Sequence, residues 1–179
     1  MGENVSSFKD RIIRAARLDA QLYEEVEADR SALNQAMAVV ILSSLAGSLN
    51  IGWVGISGLF IGIVITFTGW IVWAYVTYFI GTKLLPESQT EATFTELLRT
   101  IGFSSSPGMI RVVGIVPFIS VPVFLITWVW MLVAMVIAVR QALDYKSTMR
   151  AVVVCVIGSI FQIAVMYIMF SFLVETAAR

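Results

Sequence analysis

Long apolar runs set off by short charged intervals organise this chain. No charged side chain occurs from Ser31 to Thr82, from Val112 to Val139, or from Ala151 to Val174. The first run, 52 residues, is too long for one helix and fits two spans of about 20 residues each, at 32–49 and 58–80. Between them Asn50–Gly55, with two glycines and an asparagine, marks a turn, and Trp53 there suits a headgroup position. The second run, 28 residues, contains Pro117 and Pro122. Proline removes a backbone donor and breaks or kinks a helix, so this run reads as one tilted helix or as most of a hairpin.

Charge resolves the choice. Lys9, Arg11, Arg14, Arg17 and Arg30 precede the first span, so that end is expected in the cytoplasm. Two spans return the chain to the same side at Lys83 and Arg99. A single third helix would then leave Arg140, Lys146 and Arg150 outside, whereas a hairpin with spans at 104–119 and 121–139 brings them back. A fifth span at 151–174 leaves 175–179 as a short external C-terminus. Under this reading 11 of the 12 basic residues lie on the cytoplasmic side. The expected fold class is an all-α polytopic membrane protein. It has five transmembrane helices over 31–174, with amphipathic interfacial helices in a cytoplasmic segment 1–30 and in the loop before the third span.

Two capping signals place those interfacial helices. Ser7-Phe8-Lys9-Asp10 and Thr93-Phe94-Thr95-Glu96 both fit capping boxes. After the first, Phe8, Ile12, Ala15, Leu22 and Val26 share one helical stripe, which Asp19 interrupts, so a bend or a lapse in membrane contact is expected there. Residues 9–17 are basic and 19–29 acidic. The basic half suits an anionic inner leaflet and the acidic half suits basic loops or a partner; a plain surface helix docked on the bundle is the alternative. After the second box, Phe94, Leu97, Leu98 and Ile101 line one side of a short helix expected to lie along the inner surface. Tyr75, Tyr78 and Tyr145 fall near the same boundary, as an aromatic belt would. The charged first 30 residues do not read as a cleaved signal, so the first span is expected to double as an insertion signal.

Composition agrees and narrows the chemistry. The chain is 59% hydrophobic and 13% charged, against roughly 25% charged in an ordinary soluble domain. Net charge is zero, so nucleic acid is not an expected partner. A single cysteine precludes an internal disulfide, and the absence of histidine removes the usual acid–base side chain near neutral pH. No P-loop, GxSxG or HExxH occurs, and no acidic residue falls in a predicted span. No catalytic residue, metal site or cofactor is expected.

The candidate interaction residues are therefore few. Gly58 and Gly62 form a GxxxG that Thr66 extends, a row that lets helices approach closely, either inside the bundle or across a dimer seam. Arg111 is the one charge within a predicted span. It is read as snorkelling to the inner headgroups or bonding between helices, against a ligand or ion site. Gln162 is expected to bond across helices. Trp128 and Trp130 lie too deep for an interface belt and are expected to pack in the bundle or against another protein. Cys155 reads as a small buried residue, with acylation the alternative. Arg140 and Asp144 sit in the charged corner between the last two spans.

That corner, Ala138-Val139-Arg140-Gln141-Ala142-Leu143-Asp144-Tyr145, resembles the Yip domain family of five-span membrane proteins. Phe94-Thr95-Glu96-Leu97-Leu98-Arg99-Thr100-Ile101-Gly102-Phe103 and the leader Tyr23–Asp29 support the likeness, which covers roughly Tyr23 to Leu173 and is closest to short bacterial members. The resemblance implies a cytoplasmic N-terminus and association with other membrane proteins. Eukaryotic members bind prenylated Rab-type GTPases in early secretory membranes. This chain lacks their Asp-Leu-Tyr-Gly-Pro leader, so that binding is not carried over.

The expected function is a non-catalytic organiser or accessory subunit that binds other integral membrane proteins, itself, or lipids, including anionic lipid at the inner leaflet. A small homo-oligomeric transporter or channel is the alternative. The expected location is a bacterial inner membrane, or early secretory membranes in a eukaryote.

Overall fold

The structure, a computed structural model, describes the backbone of residues 6–48, 55–116 and 118–177, and their side chains except at 55–59, 61, 166 and 168–177. The described residues form α1 (Phe8–Ala16), α2 (Ala20–Ala28), α3 (Ala32–Ser48), α4 (Gly55–Phe79), α5 (Phe94–Phe103), α6 (Ser120–Ala142) and α7 (Thr148–Ala177). A π turn at Ile80–Leu84 prolongs α4, and a 3-10 helix over Ser106–Ile115 follows α5. Among the described residues three helices are long and apolar enough to cross a membrane, over Gly62–Leu84, Ser120–Ala142 and Thr148–Val165, while α3 is apolar but shorter.

Helices α3, α4, α6 and α7 fall close to the predicted first, second, fourth and fifth spans. Most of the predicted turn at Asn50–Gly55, Trp53 included, lies outside the described residues. Pro122 is tolerated near the start of α6 because the first-turn amides have no helical acceptor. Phe118 turns the chain into α6 with φ 75°.

The third predicted span requires correction. Residues 104–119 do not form an α-helix; they hold the ten-residue 3-10 segment instead. The local sequence explains why. Ser104 and Ser106 donate their hydroxyls to the carbonyls of Ile101 and Phe103, each at 2.7 Å, and Pro107 has no amide to continue an α ladder. The tighter 3-10 winding follows.

The preceding helix requires correction too. Every residue from Leu97 to Phe103 is buried, so α5 is enclosed on all sides rather than lying on a surface. It packs between α2, α3, α4 and α6. Gly102 makes the α3 contact possible, since a Cβ there would sit 2.7 Å from the Ala36 Cβ.

Side-chain neighbours fix the directions. Gly102 lies by Ala36, Gly108 by Ser43 and Arg111 by Gly47, so α5 and the 3-10 segment run parallel to α3 as one broken element. Ser104 meets Met135, Gly108 meets Met131 and Arg111 lies over Phe124, so α6 runs antiparallel to it. Gly158 beside Trp73 and Gln162 beside Gly69 set α7 antiparallel to α4. At about 1.5 and 2.0 Å per residue, α5 and the 3-10 segment extend about 15 and 20 Å. The charged loops gather at one end of this bundle, and Arg111 sits toward the other.

Candidate interaction site

At the charged end, the first two helices close on each other through ion pairs. Arg11, 1% exposed, reaches Glu25 at 3.0 Å and Asp29 at 2.8 Å. Arg14 reaches Asp19 at 2.7 Å and Glu25 at 2.6 Å. The expected capping by Ser7 is present, its hydroxyl accepting from the Asp10 amide. The expected bend is a helix stop with Leu18 at φ 64°, where the Leu18 and Asp19 amides donate to Ala15 and Arg14 carbonyls. Asp19 then caps α2. The Arg14 guanidinium holds the Asp19 carboxyl below its ordinary range. Burial opposes ionisation of Glu25, but hydrogen bonds from Ser6, Arg14 and Arg11 outweigh it and hold that carboxyl low as well. The acidic half thus meets the basic half of its own segment, which corrects the picture of Arg11 and Arg14 lying on the leaflet.

The pair docks firmly onto the bundle. Leu22, Tyr23 and Val26 are buried, the Trp130 indole donates to the Ala16 carbonyl at 2.8 Å, and Gln141 donates to Glu24 at 2.7 Å. Arg99, 5% exposed, donates to the Val26 carbonyl at 2.9 Å and to that of Glu27, a cation on the negative end of α2. The sequence marked Arg99 only as a charge and as part of the Phe94–Phe103 likeness; its place as the sixth residue of a capped apolar helix was the available signal.

The corner at 138–150 proves to be a lock. Helix α6 stops with Asp144 at φ 53°, while the Asp144 and Tyr145 amides donate to the Gln141 and Arg140 carbonyls. Leu143 fills the space over Gly81, where a Cβ would sit 2.4 Å from it. The Tyr145 hydroxyl lies 2.7 Å from the Leu85 carbonyl and 3.0 Å from that of Gly81. Tyr145 is 3% exposed, so it is a pin and not a member of an aromatic belt; Tyr75 is exposed and Tyr78 half-buried. Glu87 accepts from the Lys146 amide and pairs with Arg150. Arg140 donates to the Tyr145 carbonyl, and Gln89 to that of Asp144.

The remaining candidates lie deeper. Between α3, α4, α6 and the 3-10 segment is a cavity of about 550 Å³ lined by Arg111, Ser43, Ser44, Thr66, Phe124 and Met131 among others. Arg111 approaches Gly47 near the end of α3 and the Phe124 ring at 5.2 Å, so it points away from the charged end and not toward the inner headgroups. A second cavity of about 260 Å³ holds Gln162, Gly69 and Trp73, and shares Val40, Thr66 and Ser105 with the first. Arg111 and Gln162 thus line adjoining spaces. The Gln162 side-chain oxygen is buried with no hydrogen-bond partner among the described residues. Gly62 lines the larger cavity, and a Cβ there would meet nothing within 4 Å, so it is not a close-packing point within the chain. The surroundings of Gly58 lie outside the described residues. Trp130 packs inward, whereas Trp128 is half exposed on the outer face of α6. Cys155 is buried.

These features define an all-helical membrane protein whose charged groups brace its loops and whose apolar faces turn outward. The chain belongs to the Yip1 domain family: that family's model matches residues 25–173, from within α2 to within α7. The family is generally one of non-enzymatic membrane proteins. No curated protein and no solved structure matches the chain.

Proposed function

We propose that this protein is a non-catalytic integral membrane protein that crosses the bilayer five times and organises other membrane components. The observation that carries the reading is the pairing at the charged end. Arg11, Arg14, Arg99, Arg140 and Arg150 bind carboxylates or carbonyls of the chain itself. Such a surface presents a fixed shape and no reaction centre. Its partners would be other integral membrane proteins, a second copy, or lipids, met along the exposed apolar faces of α6 and α7.

In this reading α5 and the 3-10 segment together make the third crossing. Their combined length suits a hydrocarbon layer about 30 Å thick. Non-α backbone is tolerated at that depth where protein encloses it or a cavity adjoins it, and both conditions hold around Ser104–Gly108. The charged end is cytoplasmic, the C-terminus external, and the membrane a bacterial inner membrane. Single-cysteine labelling of a Cys155→Ser background decides the topology. A cysteine at 146 should react only from the cytoplasm and one at 118 only from outside; the same side for both would refute the third crossing. In-membrane crosslinking from the exposed α6 position 128 should capture a protein neighbour, and no adduct in native membranes would refute the organiser.

The broken crossing beside a cavity that holds Arg111 favours transport as a second reading. Flux of a small anion into proteoliposomes above that of empty ones, lost in Arg111→Gln, would establish it.

A further inference from the structure

We infer that the larger cavity is a binding site for a phospholipid, with the headgroup phosphate at Arg111 and an acyl chain along α6. Three independent features converge there. First, the lining joins one guanidinium to hydroxyl-bearing residues from three elements: Ser43 and Ser44 of α3, Thr66 of α4, whose hydroxyl bonds that of Ser44 at 3.0 Å so that one of the two protons is left for a ligand, and Ser120 of α6. Those are the donors a phosphate takes, and no acidic side chain lines the space. Second, α6 begins at this cavity, with Ser120 and Val121 in its wall. The amide end of a 23-residue helix carries partial positive charge and favours an anion. Third, most of the wall's surface is apolar, with Val40, Phe124, Leu125 and Met131 facing the serines. The volume of about 550 Å³ falls in the range of small-molecule sites and takes a headgroup with the first part of a chain.

A free anion fits this site less well than an amphiphile. The cavity opens beside exposed Val121 and Leu125 on the outer face of α6, so an acyl chain entering there stays in hydrocarbon while the phosphate reaches Arg111. Inorganic phosphate would lose hydration against a largely apolar wall. The inference stands under either functional reading and requires only that α6 be embedded in lipid.

The test uses the full chain in mild detergent and native mass spectrometry with three probes: dioleoyl-phosphatidylglycerol, dioleoylglycerol and inorganic phosphate. Phosphatidylglycerol should be retained about tenfold more than dioleoylglycerol, the preference expected of charge-assisted hydrogen bonds. Arg111→Gln should erase that preference. Gly62→Leu, placed where a side chain meets open space, should reduce retention of both lipids while leaving Arg111 intact. Equal retention of the two lipids by the unaltered protein overturns the inference, as does retention untouched by Gly62→Leu. Displacement of the lipid by inorganic phosphate at matched concentration assigns the site to a free anion and overturns it equally. The Gly62→Leu arm and the headgroup comparison decide the matter even where Arg111→Gln fails to fold. Loss of lipid binding with unchanged labelling at 118 and 146 separates this failure from failure of the topology.

Discussion

Replacing Arg11 with methionine tests whether ion pairing or apolar packing holds the first two helices on the bundle. The Arg11 side chain is 2% exposed, against 29% for Glu25 and 25% for Asp29, and it also donates to Gln35 at 3.0 Å. Removing one partner of a fully buried pair costs about 3–5 kcal/mol. Here the orphaned carboxylates keep other partners: Glu25 retains Arg14 at 2.6 Å, and Asp29 retains the amide and hydroxyl of Ser31. Their partial exposure lowers the penalty further, and methionine fills most of the vacated volume. A net cost of about 2 kcal/mol follows, which raises the undocked population about 30-fold. Limited trypsinolysis in mild detergent reads that population when cleavage is slow against redocking. Cuts at Lys9, Arg17 and Arg30 should accelerate together by that factor, while cuts at Lys146 and Arg150 stay constant. An unchanged rate at the first three sites would refute the clamp, leaving buried Leu22, Tyr23 and Val26 with the bonds from Trp130, Gln141 and Arg99 as the anchor.

Three further perturbations probe other joints. Glu27 is pushed up from an ordinary 4.5 to about 7, first by burial and then by the charges of Asp144 and Glu96. A raised carboxyl contributes stability that is fully present below pH 4.5 and lost as pH rises through 7. Glu27→Gln should therefore slow trypsin cuts at Arg30 at pH 8 by a few-fold, about 1 kcal/mol after allowance for Glu27's partial exposure, and leave them unchanged at pH 5. Tyr145→Phe should lower the melting temperature by an amount equal to about 1–1.5 kcal/mol. The hydroxyl has one proton to share between the Leu85 and Gly81 carbonyls, so a loss twice that size would mean a second donor is disturbed. Gly102→Ala should cost about 2–3 kcal/mol because the Ala36 backbone blocks relief, whereas Gly62→Ala should be neutral; equal melting temperatures for the two would refute the close approach of α3 and α5.

Helix positions at the two ends of the chain were legible because their signals are local. The capping serine and threonine, the interruption at Asp19 and the lengths of four apolar runs each act within a few residues. Burial of α5 was not legible. Its stripe of Phe94, Leu97, Leu98 and Ile101 reads as one-faced, and Arg99 and Thr100 on the other side look solvated. Tertiary partners reverse that: α2 carbonyls take Arg99, and the Thr100 hydroxyl turns back on the Glu96 and Leu97 carbonyls. The orientation of Arg111 was missed for a related reason. Snorkelling toward the charged end assumed an α-helix over 104–119, and the 3-10 segment that replaces it places the side chain elsewhere. The corner at 138–145 was found as a charged signature, yet its informative members are Leu143 and Tyr145, which carry no charge.

The break after α5 also accounts for the cavity. Helix α5 packs on both α3 and α4 and fills the space between them at the charged end. Beyond Ser104 the 3-10 segment keeps its contacts with α3 and α6, drawn in by Gly108, where a Cβ would sit 2.0 Å from the Ser43 hydroxyl oxygen. Among the described residues the 3-10 segment packs mainly on α3 and α6 rather than on α4, and a cavity lies between α3 and α4 at Thr66 and Gly62. The serines of the break satisfy their own helix's carbonyls, which leaves the hydroxyls of Ser43, Ser44, Thr66 and Ser120 in the cavity wall. A straight α-helix over 94–115 would have closed that volume with side chains. Ser104–Gly108 is thus the point at which local backbone chemistry opens a space with a few polar groups in its wall, and lengthening the α-helix by Pro107→Ala with Ser106→Ala should shrink that space and weaken retention of phosphatidylglycerol without touching Arg111.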